Sequence, residues 1–267
     1  MAIKLGVVGG GAMGEAIVSR LLAQGIYQPQ EILVSDRSPV RQQLLERTYG
    51  VCVTAENSQV KAATAILLAV KPQIFSSVAP ELAQGLPSPS PLVISILAGT
   101  PLKTLQAALP HSPIVRAMPN TPATVGAGMT ALAAGEGVES HHLAIVQQIF
   151  QAIGEAIEVP ESYMDAVTAL SGSGPGYVAV AIEALIDGGV AVGLPRTIAT
   201  QLALQTVKGT VELLQTADLH PAVLKDRVTS PGGTTIAGIA ALEGNGFRAA
   251  LIEAVRAAYA RSVELGQ

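Results

Sequence analysis

Residues 5–14 read LGVVGGGAMG, and the reading of this stretch decides the fold. A short apolar run gives way to three consecutive glycines and then to AMGEAIVSRLLA, whose apolar positions recur at helical spacing. Gly9, Gly11 and Gly14 satisfy G-x-G-x-x-G between a predicted strand and a predicted helix. Gly9 permits the tight turn. Gly11 lets the backbone approach a pyrophosphate at the positive end of the helix, and Gly14 brings helix and strand close together. The loop, with Ala12 and Met13 inside it, therefore predicts a dinucleotide site.

Working outward, apolar runs predict strands at residues 3–8, 31–34, 51–54, 65–70, 92–97, 114–118, 126–133 and 156–159. Helical periodicity lies between them at 13–24, 39–49, 74–82, 102–108 and 141–153. Strands alternating with helices at this spacing make a mostly parallel sheet covered on both faces. Beyond Pro160 the strands stop, and helices are expected at 165–170, 177–192, 195–216, 221–227, 234–245 and 247–265. Gly193 and Pro195 mark one helix stop and the next start. The expected architecture is an α/β Rossmann-type N-terminal domain, residues 1–162, followed by an all-α domain, residues 163–267.

Composition narrows the function. Of 267 residues, 49% are hydrophobic and 13% charged, against about 25% charged in an average protein. So little charge points to a subunit that covers a second apolar surface with copies of itself. A net charge of -4 gives no basic footprint for nucleic acid, and 3% aromatics with no Trp give no stacking platform. Cys52 is the single cysteine, which fits a reducing, cytoplasmic compartment. The chain opens directly on the first strand, without the pattern of a signal peptide. Glu183, Asp187, Lys208 and Glu212 interrupt the long apolar helices, so no membrane span is expected.

The residue after the second strand's apolar run discriminates between dinucleotides. An NAD-binding chain typically places an acid there for the ribose 2′-OH. Here the order is Ser35, Asp36, Arg37, Ser38. Ser35 does not repel a 2′-phosphate and Arg37 offers it donors, so NADPH is expected as the preferred cofactor with NADH possible; Asp36 counts against this, and the alternative is a charged solvent-facing loop. Ligands of such sheets bind beyond the carboxyl ends of the strands. That places Ala69, Val70, Lys71 and Pro72 along the cofactor, with Lys71 equally readable as a surface lysine before a breaker, and makes Asn120, in VRAMPNTPA, a contact to nicotinamide or substrate.

Two segments of the helical half combine small residues, hydroxyls and helix starts. SGSGP, residues 171–175, and SPGG, residues 230–233, each read as a loop whose free N–H groups receive an anion. Either is equally a plain helix cap, since serine is favoured there for backbone reasons alone.

Together GGGAMG, AVKPQ, VRAMPNTPA, ALSGSGPGYV and HPAVLKDRVTSPGGTTIAGIAALEGNGFR (residues 220–248) resemble the pyrroline-5-carboxylate reductase family, in its order and over most of the chain. The resemblance implies hydride transfer from NADPH or NADH to the C=N bond of 1-pyrroline-5-carboxylate, the last step of proline biosynthesis. It also implies a homodimer through the helical domain, with further assembly, often to a decamer. Carried onto this chain, it assigns Ser171, Gly172, Ser173, Gly174, Ser230, Gly232, Gly233 and Thr234 to the substrate, and Thr235 to the ring nitrogen as the catalytic hydroxyl. The family's usual SGSGPAY is SGSGPGY here, and Asp218 lies where some relatives have Glu.

The histidines support an imine rather than an alcohol substrate. A 2-hydroxy-acid dehydrogenase needs a base poised near neutral pH. His111, His141, His142 and His220 carry no sequence sign of an acid–histidine dyad. A dehydrogenase of the 6-phosphogluconate type would carry a lysine on a helix after the domain boundary, and residues 163–194 contain none. A non-catalytic NADP sensor and a reductase of larger cyclic imines are the other readings. No cysteine or histidine cluster has metal-ligand spacing.

Overall fold

A computed structural model describes residues 2–266. Eight strands form one sheet in the order β3-β2-β1-β4-β5-β6-β7-β8. They are β1 (Leu5–Val8), β2 (Ile32–Ser35), β3 (Cys52–Thr54), β4 (Ala65–Leu68), β5 (Leu92–Ser95), β6 (Ile114–Met118), β7 (Gly128–Ala134) and β8 (Gly154–Glu158). The first six run parallel; β7 pairs antiparallel with β6, and β8 runs parallel to β7. The reversal has a local cause. The connection from β6 to β7 holds only a 3-10 turn, Thr121–Val125, too short for the helical crossover that parallel strands need.

β1, β4 and β5 are buried along their whole length because helices cover both faces. Their side chains alternate between two cores. Leu5, Val7, Leu67 and Ile94 meet α1 (Ala12–Ala23) and α5 (Ser140–Gln151) through Ile17, Leu21 and Phe150. Val8, Ile66, Leu68 and Val93 meet α3 (Phe75–Ala83) and α4 (Leu102–Ala108) through Val78, Leu82 and Leu105. Each such Leu, Ile or Phe, fully buried, contributes about 1.5–3 kcal/mol. Between strands and helices the turns follow residue chemistry. α2 (Pro39–Tyr49) starts on Ser38, whose hydroxyl accepts the Arg41 N–H at 3.4 Å, with Pro39 at its first position. It ends on Gly50 at φ 69°, a left-handed cap that any side chain would strain.

The chain divides into two compact units, Met1–Ser173 with Ala258–Gln267, and Gly174–Ala257. The first unit thus runs past the expected boundary at 162 and takes in the C-terminal residues. It includes α6 (Met164–Val167) and the π-helical turn Thr168–Gly172, whose Asp165 accepts the Ser262 hydroxyl at 2.7 Å. The second contains α7 (Gly174–Ala191), α8 (Arg196–Thr216), α9 (Pro221–Arg227), α10 (Thr234–Gly244) and the first part of α11 (Phe247–Leu265). Here α7 and α10 have no buried residue, and α8 buries only Ala199 and Ala203. Val180, Leu185 and Val192 are 66%, 56% and 82% exposed.

One expectation needs correction. The continuous helix Glu161–Ala191 is long and apolar enough to cross a membrane by length and composition, with a mean hydropathy of 1.3 over its most apolar 18 residues. Glu183 and Asp187 fall late in it, and residues 166–182 carry no charge. Length and composition therefore do not exclude a span, and the segment's role is decided by what covers it.

Candidate active site

The glycine loop behaves as its chemistry demands. Gly9 adopts φ 103°, and a Cβ there would lie 2.7 Å from the Ala69 carbonyl oxygen. At Gly14 a Cβ would lie 2.3 Å from the Gly9 oxygen, so the helix could not approach the strand. Gly11 is the exception: a Cβ there meets nothing within 4 Å. Gly11 is also the N-cap of α1, without a side-chain hydrogen bond to the first turn, where Ala12, Met13 and Gly14 present N–H groups that have no intrahelical acceptor. Open space in front of an uncapped helix start is a cradle for phosphate, and these residues fit a bound dinucleotide.

Side chains hold the loop from behind. Asp36 accepts the Gly10 N–H at 2.9 Å and the Ser38 N–H at 2.8 Å, so both carboxylate oxygens serve the backbone. Arg41 donates through Nε to the Gly10 carbonyl at 2.9 Å and through Nη2 to Glu15 at 2.6 Å. The Arg41 guanidinium, aided by the Tyr49 hydroxyl at 3.0 Å, holds the Glu15 carboxyl below its ordinary range, against a smaller opposing effect of burial. The G-x-G-x-x-G pattern alone does not reveal this Asp36–Arg41–Glu15 brace, because its members stand outside the motif.

Beside the loop, a cavity of about 180 Å³ is lined by Gly9, Ser35, Asp36, Arg37, Asn57 and Val70, with Ile74, Ser77 and Val78. Ser35 is buried and donates to Asn57 Oδ1 at 2.6 Å. Arg37 is exposed at the rim. Of the AVKPQ segment, Ala69 packs on Gly9 and Val70 lines the cavity. Lys71 and Pro72 lie just beyond, where Lys71 caps a 3-10 turn and is exposed. Asn57 escaped the sequence reading: it sits in a polar stretch, AENSQV, that carries no motif.

At two expected contacts the local structure differs from the sequence reading. SGSGP is not a loop before a helix. The chain passes helically through it, α6 continuing into the π-helical turn and then α7. The Ser173 N–H is bonded to the Thr168 carbonyl at 2.9 Å and the Ser171 hydroxyl to the Val167 carbonyl at 3.1 Å. The Ser173 N–H and the Ser171 hydroxyl are therefore already engaged within the helix. Pro175 explains the π-turn: it lacks an N–H, and its ring would collide with the carbonyl of Ser171 in a regular α-helix. That orphaned carbonyl accepts instead from Asn120 Nδ2 at 3.0 Å, while Asn120 Oδ1 accepts the Met129 N–H at 2.9 Å. Asn120 thus braces the chain through both ends of its amide.

SPGG does precede a helix. Gly232 takes φ 67°, and a Cβ at Gly233 would lie 2.5 Å from the Ser230 hydroxyl. Gly233 caps α10 without a side-chain hydrogen bond, which leaves the N–H groups of Thr234, Thr235 and Ile236 without intrahelical acceptors. Ser230 and Thr234 are exposed, and Thr235 is half-buried.

The histidines lie elsewhere. His220 caps α9, its Nδ1 accepting the Ala222 N–H at 3.2 Å. His111, His141 and His142 line a groove with Glu139. It lies at the amino end of β6, opposite the glycine loop, since His111 precedes that strand and α5 follows the antiparallel β7. His141 does sit 3.4 Å from Glu139, a pairing the sequence did not reveal, but both are well exposed. Burial and the neighbouring His141 lower the pKa of His142. Among the described residues, no three His, Cys, Asp or Glu side chains converge as a metal site.

The family model described as pyrroline-5-carboxylate reductase dimerisation matches residues 161–265, and one described as NADP oxidoreductase coenzyme F420-dependent matches residues 4–99. The chain is 57% identical to the pyrroline-5-carboxylate reductase of Synechocystis, covering 100% of both chains. It is 42% identical to that of Arabidopsis thaliana, covering 100% of this chain and 96% of the relative. Its fold is similar to that of the Coxiella burnetii enzyme, with a TM-score of 0.93, 37% identity and 100% of both chains covered. The Plasmodium falciparum enzyme, solved with NADP bound, gives a TM-score of 0.90 at 35% identity, covering 99% of this chain and 98% of that one. The helix that passes the length and composition test for a membrane span lies wholly within the dimerisation match, in the part of the chain that pairs the subunits.

Proposed function

The chain belongs to the pyrroline-5-carboxylate reductase family, and from that premise we propose how its residues share the work. It reduces the C=N bond of 1-pyrroline-5-carboxylate with NAD(P)H to give proline, and it pairs as a homodimer through its helical domain. The observation that carries the division of labour is that α1 and α10 both start on a glycine with no side-chain cap. Each offers bare N–H groups to an anion, and the reaction brings one for each, the cofactor's pyrophosphate and the substrate's carboxylate.

In this reading Gly9, Gly11, Ala12, Met13 and Gly14 hold the pyrophosphate. Ala69, Val70, Lys71 and Pro72 flank the cofactor. Ser35 and Arg37 receive the 2′-phosphate, and the engagement of Asp36 with Gly10 and Ser38 favours NADPH over NADH, which stays usable. Bound cofactor supplies a hydride. Ser230, Gly232, Gly233 and Thr234 hold the carboxylate, and the Thr235 hydroxyl hydrogen-bonds the ring nitrogen so that the imine carbon is presented in one orientation. A protonated imine needs no further proton when the hydride arrives, so no acid is required. Ser171 to Gly174 contribute through the shape of the π-turn, which Asn120 fixes.

We assign cofactor binding to residues 1–162 and substrate binding and pairing to 163–267, a division supported by the dimerisation match at 161–265. Association of dimers into a decamer is the assembly the resemblance implies, and a single, exposed Cys52 fits the cytoplasm. Oxidation of NADPH and of NADH, measured with pyrroline-5-carboxylate and with its six-membered homologue, tests substrate and cofactor together. Faster turnover with the larger ring or with NADH would overturn the corresponding assignment.

A further inference from the structure

The rim of the Ser35–Arg37 cavity holds a carboxylate that hydride transfer does not use. Glu81, on α3, accepts from Arg37 Nη2 at 2.7 Å through one oxygen and from Asn57 Nδ2 at 2.8 Å through the other. Asn57 in turn accepts the Ser35 hydroxyl. Both oxygens of Glu81 therefore sit on donors that a 2′-phosphate would seek. A neighbouring cavity shares Arg37 and is lined also by Glu56, Lys61 and Glu81. Two cations face two anions there, so the rim offers a phosphate no net positive charge. Lys61 is itself engaged with the Gln84 carbonyl.

We propose that Glu81 is a specificity-determining residue that opposes the 2′-phosphate by standing in its place on Arg37 and Asn57. A 2′-hydroxyl is neutral and leaves the Arg37–Glu81 pair intact. A phosphate has to displace the carboxylate or lie beside it. Glu81 thus narrows the advantage of NADPH and keeps NADH usable. The proposal rests on the assignment of Arg37 to the phosphate.

The test is direct binding of NADPH, NADH and the fragment 2′,5′-ADP to the full-length dimer, for wild type, Glu81→Gln, Glu81→Ala and Arg37→Ala. Both Glu81 variants should tighten NADPH and 2′,5′-ADP about 5- to 20-fold, change NADH less than about 2-fold, and lose much of the gain at high salt. Unchanged or weaker NADPH binding in both variants overturns the proposal and makes Glu81 a brace for Arg37 and Asn57. Equal weakening of NADPH and NADH by Arg37→Ala overturns the phosphate assignment instead, a result that the Glu81 variants alone do not produce.

Discussion

The two units solve the problem of apolar surface in opposite ways. The first buries three strands completely and alternates their side chains between two cores of its own. The second has helices just as apolar, yet three of them, α7, α9 and α10, have no buried residue within the chain. A sheet with helices on both faces closes its core locally, whereas the helices of the second unit leave most of their apolar side chains exposed within one chain. The first unit therefore carries its stability in its own sequence, and the second borrows it from a partner, as obligate interfaces do.

A charge placed on the borrowed surface breaks this contrast most severely. Val180→Asp, on α7, should abolish the dimer, because burying an unpaired carboxylate costs about 3–5 kcal/mol, a loss of more than about 100-fold in association. Light scattering should report monomer or aggregate, and turnover should vanish, while NADPH binding to the glycine loop stays within a few fold. A stable wild-type monomer at micromolar concentration, or an active, dimeric Val180→Asp protein, would end the view that the helical unit depends on its partner.

Within the first unit, Arg37→Ala should weaken NADPH about 10- to 150-fold, the scale of one charge-assisted hydrogen bond of about 1.5–3 kcal/mol. NADH should change little. Within the second, Thr235→Ala should lower kcat/KM about 10- to 100-fold, as expected for one orienting hydrogen bond of about 1–3 kcal/mol, with NADPH binding nearly unchanged. The two losses should fall on different measurements. If Thr235→Ala weakens NADPH as much as it slows turnover, the hydroxyl serves the cofactor and the division of anions between α1 and α10 is misdrawn.

The same contrast explains what the sequence made legible. Elements with strong local signals came through with matching bounds: α2 begins on Ser38-Pro39 and ends at Gly50, and α11 keeps helical periodicity from Phe247 to Leu265. The glycine loop was legible because each of its glycines answers a local steric demand. The π-turn was not. Gly172, Gly174 and Pro175 carry the residue types of a loop, and only the Asn120 amide, from 51 residues earlier, completes the hydrogen bonding of a continuous helix there. Asn57 and Glu81 were hidden for the same reason, since their partners Ser35 and Arg37 lie 22 and 44 residues away. The reversal of β7 follows from the shortness of a connection, which shows only once both strand ends are fixed.

The smallest expected effect is at His220, and it tests the chemistry most sharply. His220 lies in the most specific of the matched stretches, so it is the histidine to suspect of delivering a proton. Its ring nitrogen Nδ1, however, accepts the Ala222 N–H and so caps α9, a backbone duty that asparagine performs well. His220→Asn should therefore preserve the fold and leave kcat within about 3-fold of wild type, since no charge or cap of more than a few tenths of a kcal/mol is lost. The pH profile of kcat should be unmoved as well, because a cap does not exchange protons with substrate. A loss of three orders of magnitude in kcat with NADPH binding intact would mean that His220 is the acid. The reaction would then need a proton from the protein, and Thr235 would no longer suffice as the hydrogen-bonding group at nitrogen.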